Sequence, residues 1–460
     1  MSLGRRREQQ RPLFVVADEL PRSSGHPFYR KLNELLAEAD FDRWIEEKSR
    51  PYYAAVMGRP SIPPGVFFRM MFVGFFEGIE SLRQIAWRCS DSMAVREFLG
   101  LAITQRAPDD TSLTVIRQRF PLELFEEVFR FMIRVARKRK LLKGRQIAID
   151  ATTLEASAAM KSIIRREEGK SWQRYVRELA EKEGIERASP EEARRFDRSR
   201  DKKVSNRDWA SPTDPDSRIV KMKDGRTHLA YKAEHAIDLE SEILVSASVH
   251  PADRGDTKTL PDSLVRAQAN LEQAQTGIAI EEVVADKGYH AAGMLEWCTR
   301  MGVRTYIPER KDHPRRRWTD KPTGFQDAVY ANRRRIRRAK GRRLQRKRCE
   351  LVERSFAFTC ESGGLRRMTI RGIEEVNKRY LLQTSAYNLG VLMRKIFGVG
   401  TPREWGALPA AILSRLAHLL VAMTRLARLV LRTWPRRIDH AETTRDRSAN
   451  ARIGTSSAGS

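Results

Sequence analysis

Hydrophobic side chains follow a helical spacing through the first third of the chain and a strand spacing beyond it. Residues 28–49 and 122–142 place apolar side chains every three or four positions, and residues 63–101 carry apolar blocks separated by Gly and Ser. Both patterns predict packed helices. At residue 145 the segment "RQIAIDATTLEA" takes the composition of a strand. We therefore expect an all-helical region over residues 1–143, followed by a sheet.

Strands and helices alternate in the second region, residues 144–400. "HLAYKAEHAID" and "ILVSASVHPAD" predict two strands joined by a short turn, and a helical segment then leads to a third strand in "EEVVADKGYH". Another helix and the strand "VRTYIPER" follow. This order predicts an α/β fold with a mixed β-sheet flanked by helices, rather than a purely parallel sheet.

Two highly charged segments interrupt this order. The first, residues 157–222, has a mostly helical pattern that loosens into "SPTDPDSR", which fits either a DNA-contacting arm or a disordered linker. The second, residues 309–348, ends in "RRRIRRAKGRRLQRKR", with 11 Lys or Arg in 16 residues and no acid. We expect both segments to be insertions in the sheet-containing region.

The excess of basic over acidic residues indicates that the protein binds an anionic partner. The 460 residues include 87 Lys and Arg against 59 Asp and Glu, a formal net charge of +28. A modest excess would only aid solubility, but a concentrated excess repels itself unless an extended anion lies alongside it. Nucleic acid is the leading candidate. The helical region over residues 1–143 is expected to bind double-stranded DNA.

The cysteine pattern and the C-terminal segment each argue against a class of protein, namely disulfide-bonded or zinc-binding proteins and membrane-spanning proteins. The four Cys are scattered without a C-x-x-C pair, which argues against a disulfide framework or a zinc site and suits a reducing cytosol. Residues 411–434 look membrane-like, but arginines interrupt them too often for a bilayer span. We expect residues 401–460 to form an amphipathic helix and a disordered tail, with a membrane-surface helix as the alternative.

Two aspartates stand where predicted strands end. Asp150 closes the apolar run of "RQIAID", and Asp286 closes that of "EEVVAD". Either one alone would be an ordinary helix cap or turn residue. A third acid, Glu353, lies on a predicted helix after the basic segment. Loops at strand ends are where α/β proteins assemble their sites, so we expect the three carboxylates to meet.

Carboxylates in a strongly basic protein suit phosphodiester chemistry. Two Mg²⁺ ions about 3.5 to 4 Å apart activate an attacking oxygen and stabilise a leaving one. Mg²⁺ prefers carboxylate oxygens and takes few protein ligands, so three acids from separate segments suffice. The basic side chains would hold the DNA backbone while the acids hold the metal ions.

In this order the segments resemble the DDE transposases of bacterial insertion sequences, in the branch with an InsH-type helical N-terminal domain. The resemblance rests on "PPGVFFRMMFVGFFEGIESLRQIAWRCSD", "APDDTSLTVIRQRF", "AIDATTLEA", "ADKGYH" and "LVERSFAFTCESGGLRRMTIRGIEEVNKRYLLQTSAYNLGVLMRK". It implies a ribonuclease-H-like core over residues 144–400. It also implies cleavage and strand transfer at transposon ends, with two Mg²⁺ ions or Mn²⁺ as their substitute.

On that resemblance Asp150, Asp286 and Glu353 are the catalytic, metal-binding acids. Related transposases often have Tyr, Arg, the catalytic Glu and Lys at set spacings, and neither Glu353 nor Glu350 reproduces all of them. "VERSF" favours Glu353, while Glu350, one helical turn away, stays the alternative. His250 and Asp253 rank below these acids, since turn capping explains them equally well.

Basic residues near the acids are candidates for DNA contacts. Lys287 follows the second aspartate, and Arg354 is either a phosphate clamp or a counter-charge for Glu353. The full set predicted to bind DNA is Lys287, Arg333, Arg334, Arg335, Arg337, Arg338, Arg346, Arg348 and Arg354.

The leading interpretation is a cytoplasmic, nucleoid-associated transposase without a membrane contact. It would bind terminal inverted repeats and join them to target DNA as a homodimer or higher oligomer, because two ends must be held together. A non-catalytic DNA-binding protein or decayed transposase is the main alternative, and a simple nuclease with the same core is another. The joint presence of three acids favours the enzyme.

Overall fold

The computed structural model describes residues 25–54, 61–185, 189–200, 204–222, 224–310 and 317–405. The first part of this range is helical, as the apolar spacing predicts. Its helices are α1 Pro27–Glu38, α2 Phe41–Ser49, α3 Pro64–Glu77, α4 Leu82–Asp91, α5 Met93–Leu99, α6 Asp110–Arg119 and α7 Leu122–Lys138. Proline in its first turn starts α3, and Gly78 ends it in the left-handed conformation.

A mixed sheet follows, and it confirms the predicted fold class. Its strands are β1 Gln146–Glu155, β4 Arg218–Lys221, β5 Thr227–Asp238, β6 Leu244–Pro251, β7 Glu282–Val284 and β8 Arg304–Tyr306. β5 pairs antiparallel with β1 on one side and with β4 and β6 on the other. β1, β7 and β8 run parallel. Two short strands, β2 Ile164–Arg165 and β3 Trp209–Ala210, form a separate pair.

Helices cover both faces of this sheet. α10 Asp256–Gln273 packs on one face, and α13 Ala339–Phe356 and α14 Ile373–Phe397 pack on the other. α11 Ala292–Arg300 and α12 Phe325–Arg337 lie beside β8, while α8 Trp172–Lys182 and α9 Pro190–Ser199 pack on each other. A 3₁₀ turn spans Lys287–Tyr289, and a π-helical turn over Ala357–Ser362 continues α13. α14 is buried around most of its circumference, so it is a core helix of the molecule.

The charged segments differ from simple insertions. The segment at 157–222 contains α8 and α9, but it also supplies β4 to the main sheet. The basic run at 333–348 forms the end of α12 and most of α13. The helix that carries Glu353 is therefore the basic helix itself, whereas the sequence analysis placed that helix after the basic segment.

One hydrophobic core joins the helical region to the sheet. α3 and α7 pack against α14, which also lies on β6. Phe67, Phe72 and Val128 share a cluster with Ile149 and Leu389. That residues 1–143 act as a separate DNA-binding domain stays a prediction. The amphipathic helix and tail expected after residue 405 lie outside the described residues, and no helix within the described ranges has the length and apolarity to cross a bilayer.

Asparagine side chains satisfy backbone groups at both edges of the sheet. On β6, Asn388 of α14 accepts from Leu244 N at 2.8 Å and donates to Leu244 O at 2.9 Å. Asn377, also on α14, does the same at Val249, at 2.9 and 3.1 Å. Beyond β8, Asn332 of α12 bonds both the N–H and the carbonyl of Ile307. We call Asn332, Asn377 and Asn388 the edge asparagines.

Candidate active site

The sheet register sets the two aspartates side by side. The parallel pairing of β1 with β7 aligns Ile147 with Val283 and Ala148 with Val284. The same register, continued by two residues, aligns Asp150 with Asp286. Neighbouring strands lie about 4.8 Å apart, so both carboxylates emerge at one end of the sheet. This proximity is what the sequence analysis predicted for these two residues.

Asp150 is a half-buried carboxylate with two donors. Its Oδ1 accepts from the Ala151 amide at 2.8 Å, and its Oδ2 accepts from Arg348 Nη1 at 2.5 Å. Burial raises the pKa of Asp150 and nearby Asp286 raises it further, while Arg348 and the Ala151 amide lower it. The pair of aspartates is therefore a site where a bound cation would relieve unfavourable charge.

Asp286 stands at the start of the 3₁₀ turn. Its Oδ1 accepts from Gly288 N at 2.7 Å and so caps the turn. Among the described residues no donor bonds to its Oδ2. Lys287, next in sequence, is exposed. The second aspartate thus keeps one oxygen available at the end of β7.

α13 is fixed to this end of the sheet by two polar side chains. Gln345 donates from Nε2 to Ala285 O at 3.1 Å and to Tyr306 O at 2.6 Å, at the ends of β7 and β8. Its Oε1 accepts from Arg348 Nε at 3.3 Å. Arg348 then reaches Asp150 on β1. The helix therefore crosses above both aspartates, and its inward-facing arginine balances the first one.

Glu353 and Glu350 lie about 60° apart around α13, and both are exposed. Glu350 pairs with Arg354, whose guanidinium also reaches Glu242 at 2.9 Å. Glu242 belongs to the turn after β5, which lies beyond the amino end of β1. At about 100° per residue, Glu353 is turned about 140° away from the inward-facing Arg348, so its side chain does not point at the two aspartates. It is exposed and stands outside the contact between Arg348 and Asp150.

The basic residues predicted to bind DNA divide into two groups. Lys287, Arg334, Arg337, Arg338 and Arg346 are exposed. The other four form contacts within the chain: Arg333 with Glu309, Arg335 with Thr305, Arg348 with Asp150, and Arg354 with Glu242 and Glu350. Arg354 does act as a counter-charge, one of the two roles considered in the sequence analysis. Its partners, however, are Glu242 and Glu350 and not Glu353.

Two family models match the chain. Residues 15–119 match the Transposase domain (DUF772), and residues 141–389, more than half of the chain, match the Transposase DDE domain. The chain belongs to the DDE transposase family. No curated protein and no solved structure matches it. Both matches are to transposase domains, so DNA transposition is the process in which this transposase takes part.

Members of this family generally use divalent metal ions, and two of the three expected ligands fit such an ion. Asp150 and Asp286 offer hard carboxylate oxygens at adjacent strand ends, in a buried setting that disfavours their joint charge. Within the described ranges, however, no three acidic, His or Cys side chains converge closely enough to hold a metal. Glu353 is the expected ligand that the structure does not bring to the pair.

Sequence reasoning missed several groups that surround the transposase site. Arg348 had been assigned to DNA because it lies in a uniformly basic run. Lys232 and Glu234 on β5 had not been singled out, although both are buried, at 5% and 1% exposure. The sequence did contain a pattern that indicates them. Two opposite charges at alternate positions of an apolar strand lie on the same face, where burial requires them to have polar partners. His250 and Asp253 have local partners, Ser248 and Arg218.

Proposed function

We propose that this transposase binds the terminal inverted repeats of its element and catalyses metal-dependent DNA cleavage and strand transfer. The observation that carries the proposal is the adjacency of Asp150 and Asp286 at the carboxyl end of neighbouring parallel strands, beneath a strongly basic helix. Asp150 pairs with Arg348 and Asp286 caps a turn, but neither contact requires two acids to stand side by side in a protein of net charge +28. They suit a metal ion that meets a phosphodiester.

Asp150, Asp286 and Glu353 are assigned as the catalytic, metal-binding acids. When bound, Mg²⁺ or Mn²⁺, in a pair, activates the attacking oxygen and stabilises the leaving one. Asp150 and Asp286 would hold these ions through carboxylate oxygens. Arg348, which holds Asp150 Oδ2 in the metal-free site, would release that oxygen and remain close as a counter-charge. Glu353 is exposed on α13, so its assignment requires this helix to change position until the side chain reaches the two aspartates.

The exposed basic residues of the predicted set are assigned to the DNA backbone. Lys287 adjoins Asp286, Arg346 lies on the same helix as Glu353, and Arg338 immediately precedes that helix. Contacts of this kind position the duplex without reading its sequence. Arg333, Arg335, Arg348 and Arg354 would have to exchange their internal partners to join them. The active form is proposed to be a homodimer or higher oligomer on DNA, in the nucleoid of the cytoplasm.

The test uses the full chain, Mg²⁺ and a labelled duplex that carries the element's own end. Asp150→Asn, Asp286→Asn and Glu353→Gln are each expected to lower the cleavage rate by at least about a thousandfold, because one ligand of the metal pair is lost. Their affinity for the duplex should stay within about threefold of the parent value, since phosphate contacts remain. Removing the metal with a chelator should likewise abolish cleavage and leave binding intact.

Glu350→Gln is the matched control, because it removes the same charge from the same helix. It should cleave at close to the parent rate. If Glu350→Gln is inactive while Glu353→Gln cleaves, the third acid is Glu350. If the parent protein binds the end and neither cuts nor joins it in Mg²⁺ or Mn²⁺, the chain is a non-catalytic DNA-binding protein. Cleavage without joined products would indicate a nuclease.

A further inference from the structure

A fully buried carboxylate lies under the Asp286 turn, on the opposite face of the sheet from Arg348. Glu234, in the middle of β5, is 1% exposed. It pairs across the strands with Ala151, next to Asp150. Burying an ionised carboxylate costs several kcal/mol unless hydrogen bonds and a counter-charge offset the loss of water. Its surroundings supply both, so this acid is built into the fold instead of being open to a metal ion.

Three hydroxyls and one ammonium surround Glu234. Thr259 and Ser263, on α10, donate to its two oxygens, with the Thr259 contact at 2.8 Å. The third hydroxyl is that of Tyr289, at 2.7 Å from Oε1. Lys232 Nζ lies 3.8 Å from the same oxygen. The carboxylate is thereby anchored to α10 and to one other segment, the turn that contains Tyr289.

Tyr289 transmits this anchor to Asp286. It ends the 3₁₀ turn that begins after Asp286, and its amide donates to the Asp286 carbonyl at 3.3 Å. Its ring is 1% exposed. The turn has three residues and few bonds of its own, so its position depends on what holds its end. Fixing the tyrosine hydroxyl therefore restrains the backbone that carries the second aspartate.

The same turn also lies close to the start of α10. Asp256, at the start of α10, accepts from Lys232 Nζ at 2.6 Å. A β-carbon on Gly288 would come within 2.5 Å of Asp256 Oδ2 and 3.0 Å of Asp286 Oδ1. The glycine thus lets α10 approach the turn closely. Both contacts lead back to β5, one through Glu234 and the other through Lys232.

We propose that Glu234 is a positioning residue for Asp286, acting through the Tyr289 hydroxyl. The inference rests on the proposed function, because Asp286 needs a fixed position beside Asp150 only if the two aspartates bind metal ions together. Mg²⁺ demands near-ideal octahedral geometry, so a ligand that swings by a fraction of an ångström binds it poorly. Partners that orient ligands in this way typically contribute about 10- to 100-fold in metal affinity or activity.

The experiment compares Tyr289→Phe with Tyr306→Phe in the full chain. The Tyr306 hydroxyl also donates to a buried carboxylate, Glu282, at 3.1 Å, but it lies on β8 and outside the Asp286 turn. Mn²⁺ binding is measured without DNA, from the electron paramagnetic resonance signal of free Mn²⁺. Tyr289→Phe should weaken binding by about tenfold or more, while Tyr306→Phe should match the parent protein.

Glu234→Gln provides a second variant, since it keeps a carbonyl oxygen for the tyrosine hydroxyl. It should retain more Mn²⁺ affinity than Tyr289→Phe. With DNA, Tyr289→Phe should lower the cleavage rate at fixed metal and leave the affinity for the transposon end unchanged, and higher Mn²⁺ should restore part of the rate. Both variants are compared under conditions in which circular dichroism shows them folded without metal, because bound Mn²⁺ would also rescue a variant that is only destabilised.

Two failures can be told apart. If Asp286→Asn binds Mn²⁺ and cleaves DNA like the parent, Asp286 is not a metal-binding catalytic residue and the proposed function is wrong on this point. If Asp286→Asn is defective but Tyr289→Phe binds Mn²⁺ as tightly as Tyr306→Phe does, the proposed function stands and Glu234 has no positioning role.

Discussion

A single imidazole joins both helices above the site to the sheet beneath them. His235 of β5 pairs across the strands with Asp150 and is fully buried. Ser355 on α13 donates its hydroxyl hydrogen to Val352 O, so its oxygen accepts from His235 Nδ1 at 2.9 Å. His235 Nε2 therefore accepts from the Tyr380 hydroxyl of α14, at 2.5 Å. The ring is neutral, and these two bonds fix which nitrogen carries the hydrogen.

This neutral histidine predicts a loss of stability in mild acid. Burial lowers the pKa of His235 to about 3, against 6.5 in the unfolded chain. Only the unfolded state gains a proton between those values, so stability is complete above pH 6.5 and falls as the pH drops below it. This residue alone should account for a loss of about 2 kcal/mol between pH 7 and pH 5.

Urea unfolding of the parent and of His235→Asn at both pH values measures that contribution. The variant should be less stable at pH 7, because its shorter side chain cannot reach both hydroxyls. Its stability should nevertheless fall less between pH 7 and pH 5 than that of the parent. Equal falls would mean that His235 is not the group responsible.

Individual residues show where sequence reasoning reaches its limit. Asp150 and Asp286 could be predicted because a lone acid that ends an apolar strand is a local pattern. The role of Arg348 could not be predicted, since its neighbours in the chain are equally basic. It differs from them only in lying on the side of α13 that faces the sheet. Glu234 would have required knowing that Tyr289, 55 positions later, points at it.

At the scale of elements, the edge asparagines set how α14 lies on the sheet. Asn377 and Asn388 are eleven residues apart on the helix, about 16 Å along its axis. Their targets, Val249 and Leu244, are five residues apart on the strand, also about 16 Å. Asn270 of α10 donates to Val245 O, where the register with β5 shifts. The helix and the strand are thus matched in length as well as in chemistry.

Asn388→Asp tests this docking with almost no change in shape. An aspartate still accepts from the Leu244 amide, but it cannot donate to the Leu244 carbonyl, and it adds a buried charge. We expect a loss of about 2 to 4 kcal/mol in the free energy of unfolding, measured by urea titration. Gln268→Glu, at a partly exposed amide on α10, serves as a control and should cost less than about 1 kcal/mol. Similar losses in both variants would refute the docking role.

The order of elements was largely predictable, while their lengths and edges were not. Apolar spacing identified α7 and the long strands because each carries a repeating pattern over many positions. β4 has four residues and follows a polar, turn-rich stretch, so it carries too little pattern to separate it from the charged segment. α13 was divided in the prediction because its basic first half lacks an apolar face wide enough to recognise.

At the scale of the whole molecule, the effect of net charge can be predicted from the sequence, whereas the packing of the core cannot. The net charge of +28 predicts an anionic partner without any knowledge of the fold. The continuous core through α3, α7 and α14 was not predictable, because periodicity shows which side of a helix is apolar and not which element covers it. The same limit applies to Glu353, whose distance from the aspartates depends on how α13 sits on the sheet.

The charge also predicts how DNA binding depends on salt. The logarithm of the association constant should fall linearly with the logarithm of the salt concentration, because bound arginines release counterions from DNA. Arg338→Ala and Arg346→Ala should each lower the steepness of that line by about one. Arg335→Ala, which removes a side chain bound to Thr305, is the control and should leave the slope unchanged. Identical slopes in all variants would exclude Arg338 and Arg346 from the DNA interface.

The edge asparagines also restrict how copies of this protein can assemble. Many proteins associate by aligning exposed strands, so that one sheet continues into the next chain. Here the backbone groups at Leu244, Val249 and Ile307 are already occupied by amide side chains. A strand from a second copy would have to displace them. At these positions the described sheet is closed to strand addition, so the oligomer proposed above would join through helices, loops or the DNA itself.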